Sequence, residues 1–238
     1  MGMVIGLGSG ASNQKHADMT QSDNHLRALS YLSRLSGLLR LSNTLRFGQN
    51  APGPAVRLDI PPKMLQLRYH AAANDGLRLP HWRTGQIKDG DWDIAQRPFV
   101  RSVKFKACKK HFIGGQSWED TNIIDYGVKR IADQRKYDDC FTRADLVARY
   151  ARLDDLWEKT KRNGALPDAL NKTARLHDCI VVHMDRDGKL IFGNQGFHRL
   201  SIAKLAKVKT ITVLLGVTHK QAVQSGAAAD TIATYRSN

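Results

Sequence analysis

The sequence predicts an α/β fold: a mixed small sheet with surrounding helices and a helical N-terminal extension. Three observations carry this reading. Residues 56–60, 180–182, 190–192 and 211–215 are short runs rich in β-branched and apolar side chains, the composition of strands. Leu200, Ile202, Ala203, Leu205 and Ala206, between the last two runs, suit a helix buried largely against a sheet. The chain of 238 residues is 42% hydrophobic, enough to bury a core, yet holds no apolar run long enough to span a membrane.

Residues 1–24 are rich in Gly, Ser and Asn with little periodicity and are expected to be disordered, without the positive start of a secretory signal. Residues 25–54 form a basic amphipathic helix and a linker. Leu26, Leu29, Leu32, Leu35, Leu38, Leu39 and Leu45 recur at helical spacing, accompanied by Arg27, Arg34, Arg40 and Arg46 and by no acid. Such a helix can pack on its own domain, dock on a partner or lie on a membrane surface, and packing on its own domain is the commonest fate. Its Ser- and Arg-rich composition also resembles an organelle presequence, although it stands some way from the start. The Pro- and Gly-rich stretch 49–54 reads as the linker.

The main domain is expected over 55–220. It opens with a strand at 56–60 that Pro61-Pro62 stops, followed by a short helix over 62–70. Gly85-Gln86-Ile87-Lys88-Asp89-Gly90-Asp91-Trp92-Asp93 offers two readings. If the segment is extended, Asp89, Asp91 and Asp93 face one way and could hold Mg²⁺ or supply a general base. If it is a tight turn, the Asp and Gly residues play turn roles and Trp92 plugs a core. Arg101, Lys104, Lys106, Lys109 and Lys110 form a basic run around Phe105, able to follow a nucleic-acid backbone with the ring available for stacking, or else a solvated face.

Ser117 with Asp120 resembles a capping pair before a helix through Ile123, Ile124, Val128 and Ile131, and residues 142–145 open the next helix in the same manner. Residues 165–174 are a polar connection holding Lys172. His177, Cys179 and His183 alternate and could offer zinc ligands, but no paired C-x-x-C completes such a set. Asp187-Gly188 signals a two-residue hairpin turn. After the strand at 211–215, His219 and Lys220 open a polar stretch, residues 221–238 form a tail, and 227–234 make a weak helix.

The chemistry of this reading sits at residues 194–199. Gly196 permits a sharp bend, and the helix after it aims free N–H groups and a positive dipole end outward. His198 and Arg199 stand in its first turn, and arginine's planar fork suits phosphate. The net charge of +15 favours a polyanionic partner, either nucleic acid or an anionic membrane. Cys108, Cys140 and Cys179, an odd and widely spaced set, suggest reduced thiols and a cytoplasmic setting.

Gly196-Phe197-His198-Arg199-Leu200-Ser201-Ile202-Ala203 resembles the G-x-x-R-x-x-A box of the ParB/sulfiredoxin-like superfamily. The order of elements over about 150–216, from a helix ending at Gly164 to the last strand, agrees with that fold. The G-D-W-D and W-E-D-T segments are similar to those of ParB-like proteins with a G-x-H-R box. The resemblance implies binding of a nucleoside triphosphate, ATP or CTP. Gly196, His198 and Arg199 would hold its phosphates, Asn194 and Gln195 would line the approach, and Lys172 and Arg175 would lie near the ligand.

Two departures narrow the implied activity. Phe197 stands where sulfiredoxin has its nucleophilic cysteine and ParB an acidic residue, so the sulfiredoxin reaction is rejected. The stretch after Leu215 is too short for the helix-turn-helix domain of a ParB partition clamp. The first expectation is therefore a nucleotide-binding domain, a Mg²⁺-dependent phosphotransferase or nucleotide hydrolase, with Asp91, Asp93 and His198 as catalytic candidates. The second is a non-catalytic nucleic-acid-binding module, and a nuclease is the third. Asp91 near Arg199 would favour the enzyme, whereas a basic face joining Lys104, Lys109 and Lys204 would favour nucleic acid.

Overall fold

A seven-stranded mixed sheet organises the molecule, and its longest strand, Ile211–His219 (β7), pairs with β1 and β3 along one edge of the sheet and with β5 on its other side. A computed structural model describes residues 36–70, 84–167 and 179–237. Residues 1–24, the first part of the basic helix, Lys172, Arg175 and His177 lie outside the described residues.

The described part of the first helix (α1) occupies 36–47. The strands are Arg57–Ile60 (β1), Leu67–Tyr69 (β2), Gln86–Lys88 (β3), Gln96–Pro98 (β4), Val181–Met184 (β5), Leu190–Phe192 (β6) and β7. They run in the order β1-β7-β5-β6-β2-β4. β1 flanks the first half of β7 antiparallel, and β3 flanks its second half parallel. β5 runs parallel to β7 on the other side, with Val181 opposite Leu214 and Met184 opposite Thr218. The apolar runs read from the sequence are buried as strands of this sheet, with Val181, Val182, Phe192 and Val217 fully covered.

The helices are Val103–Phe112 (α2), Ile123–Gln134 (α3), Arg143–Asn163 (α4), Phe197–Leu205 (α5), Lys220–Gln224 (α6) and Ala227–Tyr235 (α7). α2 starts where the Ser102 side chain accepts the N–H of Phe105. Thr142 and Asp145 close a full capping box at the head of α4, as the sequence predicts, and Gly164 ends that helix in a left-handed conformation. α2, α3 and α4 enclose a second core around Trp118, Ile124, Leu146 and Tyr150. α5 packs on both α2 and α4 and joins the two cores.

Four expectations are corrected. Residues 62–70 form one 3₁₀ turn, Pro62–Met64, and then β2, which pairs with β4 and β6. The β5–β6 turn spans five residues between paired Met184 and Leu190, because the Asp185 carboxylate accepts the N–H groups of Asp187 and Lys189. Ser117 and Asp120 bond to one another in a turn ahead of α3, whose N-cap is Asn122. His219 opens no polar tail: it is buried at the end of β7 and its ring caps α6 by accepting the N–H of Gln221.

Candidate functional site

At the start of β5 and β7 the chain must pass Gly196 beneath the backbone of Cys179 and Ile180. A Cβ at Gly196 would stand 2.6 Å from the Cys179 carbonyl oxygen and 2.7 Å from the Ile180 Cα, and φ there is +76°. Only glycine meets both conditions without rearrangement. It sets α5 running with no side-chain cap on its first turn, which leaves the early N–H groups to other acceptors.

Beside this turn lies a cleft of about 260 Å³. Arg199 lines it with Asp59, Cys179, Ile180, Thr210 and Thr212, and the 165–167 segment closes one side. The half-buried guanidinium donates to the Pro167 carbonyl. Asp59 accepts the Thr212 hydroxyl at 2.6 Å and also the Ser237 hydroxyl. Leu58 and Ile60 point into the core, so Asp59 between them takes the opposite face of β1.

Of the described residues expected to contact a nucleotide, Arg199 alone is among those lining this cleft. Asn194 donates to the Tyr69 carbonyl at 2.8 Å and so ties β2 to the turn. The Gln195 carbonyl accepts the N–H of Val181. Phe197 stacks on Phe99 at 4.6 Å and meets Phe192 edge-on.

His198 turns inward. It is 7% exposed, and its Nε2 lies 3.2 Å from the Tyr150 hydroxyl and 3.7 Å from Asp138 Oδ2. Lys104 forms an ion pair with the same Asp138 and stands 5.0 Å from the Tyr137 ring centroid. Burial pushes the His198 imidazole down to about 3, Lys104 adds to the effect and Asp138 opposes it. Burial raises the Asp138 carboxyl, but Lys104 and His198 outweigh it and the group stays below the usual range. This network stitches α2 and the loop before α4 to α5, and the expected phosphate or acid–base duty of His198 has no access to the cleft.

The three aspartates lie at the other end of the sheet. Asp93 is 3% exposed and accepts the Arg186 backbone N–H at 3.0 Å and two N–H groups of its guanidinium at 3.0 and 2.7 Å. Asp91 accepts from the same guanidinium at 2.8 Å, and Asp89 pairs with Lys220 at 2.9 Å. Burial raises the Asp93 carboxyl, yet Arg186 holds it below its ordinary value, while Asp91 and Asp93 keep Arg186 more firmly protonated. The His219 ring takes the Gln221 N–H on Nδ1, so its proton sits on Nε2 and is donated to the Gly90 carbonyl at 2.8 Å. Trp92, 3% exposed, fills the space between Tyr69, His183 and His219. The segment is therefore the turn with a tryptophan plug.

Among the described residues no group of three His, Cys, Asp or Glu is placed to hold a metal ion. The expected carboxylate edge for Mg²⁺ is instead a set of salt bridges. Cys179 and His183 are buried, and His177, the third member of the alternating set, lies outside the described residues. Arg186 and His219 face residues at the end of β5 and β7, whereas Thr212 and Arg199 belong to the start. Thr212 and His219 stand seven residue steps apart along β7, roughly 23 Å. Arg199 and the aspartates thus form no shared cleft.

The basic run divides. Arg101, Lys106, Lys109 and Lys110 are exposed, and the last three share one face of α2. Lys104 is bound to Asp138, and Lys204 lies 5.5 Å over the Phe99 ring, its ammonium depressed by burial. Phe105 is half-buried and meets Phe99 edge-on at 5.5 Å. Cys108, Cys140 and Cys179 are buried, and burial pushes the Cys108 thiol up to about 12. Sequence reasoning missed Arg186, Asp138 and Asp59. The lone acid in an apolar strand was the available signal for Asp59; Arg186 and Asp138 sit in turns rich in charge and gave none.

No protein-family model, curated protein or solved structure matches the chain.

Proposed function

We propose that the chain binds a phosphate-bearing ligand, in the first instance a nucleoside triphosphate, in the cleft beside the start of α5. The observation that carries this reading is Arg199, a half-buried guanidinium at the head of a helix with no side-chain cap, lining a cleft that also presents Thr210 and Thr212. A fixed cation, the Thr210 hydroxyl and a nearby helix start are the complement of a phosphate group. A cleft of 260 Å³ is near the small end for ligand sites. It suits the phosphates and sugar, with the base extending beyond.

The ParB/sulfiredoxin-like resemblance supports the same assignment through the Gly196–Arg199 box. Phosphotransfer or nucleotide hydrolysis is the catalytic form of this proposal. Its carboxylate is Asp59, the acid in the cleft, and Mg²⁺ arriving with a nucleotide needs only one or two protein carboxylates.

A second reading, non-catalytic binding of nucleic acid, is favoured by one observation: Lys106, Lys109 and Lys110 stand exposed on one face of α2 in a chain of net charge +15. Calorimetric titration with ATP, CTP and GTP, with and without Mg²⁺, on the parent and on Arg199→Ala separates the two. Saturable binding to the parent that weakens at least tenfold in the variant is the expected result. No nucleotide binding, together with DNA or RNA binding that falls steeply with salt in both proteins, would move the assignment to α2.

A further inference from the structure

Helix α1 is anchored by one face and bare on the other. The buried Asn43 side chain donates to the carbonyls of Pro52 and Gly85, both at 2.8 Å. Phe47 packs against the main core, and the Arg40 stem lies 3.6 Å from the Cβ position of Gly53. Leu38, Leu41 and Leu45 are 66%, 56% and 78% exposed. At helical spacing these three form one stripe, turned away from Asn43 and Phe47. The helix therefore packs on its own domain without using these three leucines.

The surroundings of the stripe are cationic. No Asp or Glu occurs between Asp23 and Asp59, while Arg40 and Arg46 are exposed on the same helix. We infer that this leucine stripe seats in the interfacial layer of an anionic lipid bilayer, with the arginines at the headgroups. The charge favours that occupant, since basic side chains on the helix that carries an apolar stripe gain attraction from anionic lipid that a neutral apolar partner does not give. A second copy of the chain fits less well. Three leucines expose on the order of 400 Å², against about 800 Å² per partner in a stable dimer. None of the described helices is long and apolar enough to cross a membrane. Asn43 fixes the helix to the Pro52 and Gly85 segments, which would set how the domain sits above the lipid.

The test is co-sedimentation of the full chain with phosphatidylcholine vesicles, with and without phosphatidylglycerol, beside the triple variant Leu38→Ser, Leu41→Ser, Leu45→Ser. All three positions are exposed, so the circular dichroism spectrum and melting temperature should stay as in the parent. The parent is expected to partition onto the anionic vesicles, less so as salt rises, and the variant to lose about tenfold or more of that partitioning. Failure of the parent to bind anionic vesicles overturns the inference. So does equal binding by the variant, which would assign the effect to charge elsewhere. A parent dimer that the variant converts to a monomer would show that a second copy covers the stripe.

Discussion

His198 and Arg199 are neighbours with opposite surroundings. One helical step of about 100° turns His198 into the joint between α5, α2 and α4 and leaves Arg199 on the cleft. The buried imidazole has a consequence for stability. Its folded value, about 3, lies below the ordinary 6.5, so the unfolded chain binds a proton that the folded chain refuses. Stability from this group is complete above pH 6.5 and is lost as pH falls toward 3. Asp138 is depressed as well and adds its own loss below its ordinary value. His198→Gln should flatten the acid limb of a pH-dependent chemical denaturation series across that window. An unchanged acid limb would remove His198 as its source. The G-x-H-R spacing marks both residues as candidates, but it carries no information on which side of the helix meets the core. That depends on Tyr150 and Asp138, which stand 48 and 60 positions earlier in the sequence.

At the scale of elements, the turn into α5 is the tightest requirement in the fold. Gly196→Ala places a methyl against the backbone of Cys179 and Ile180 at a left-handed φ, and should cost about 2–4 kcal/mol, lowering the melting temperature by roughly 5–10 °C. Gly164→Ala is the control. Its φ is +62°, but nothing lies within 4 Å of the added Cβ, so the cost should be about 1 kcal/mol. Thermal melts of the two variants compare them directly, and equal costs would contradict the close-approach argument. Most elements with local signals were legible: the Thr142–Asp145 capping box, Gly164 at the end of α4, and the apolar runs that became β5, β6 and β7. β7 was legible only in its first half. Gly216, Thr218 and His219 look like the end of a strand in one dimension, and it is pairing with β3 that carries the strand on to His219. The five-residue β5–β6 turn was missed for a similar reason, since Asp185 supplies a carboxylate that satisfies a wider loop.

Across the whole molecule, the strands set two polar centres at opposite ends of the sheet. Arg186, Asp91, Asp93 and His219 lock the far end, where the buried Asp93 is matched by a guanidinium. Arg199, Asp59, Thr210 and Thr212 line the cleft at the near end. The sequence shows both motifs, but not the length of β7 between them, so the expectation of one combined site failed on topology. We propose that phosphate is recognised at the near end. Amide chemical shifts of isotopically labelled protein, followed as inorganic triphosphate is added, test it most directly. Saturable shifts are expected, centred on Phe197, His198, Arg199, Cys179 and Ile180, with Arg186 and His219 unmoved and the response lost in Arg199→Ala. Shifts centred on Lys106, Lys109 and Lys110, or on Arg186 and His219, would contradict it, as would the absence of any saturable shift.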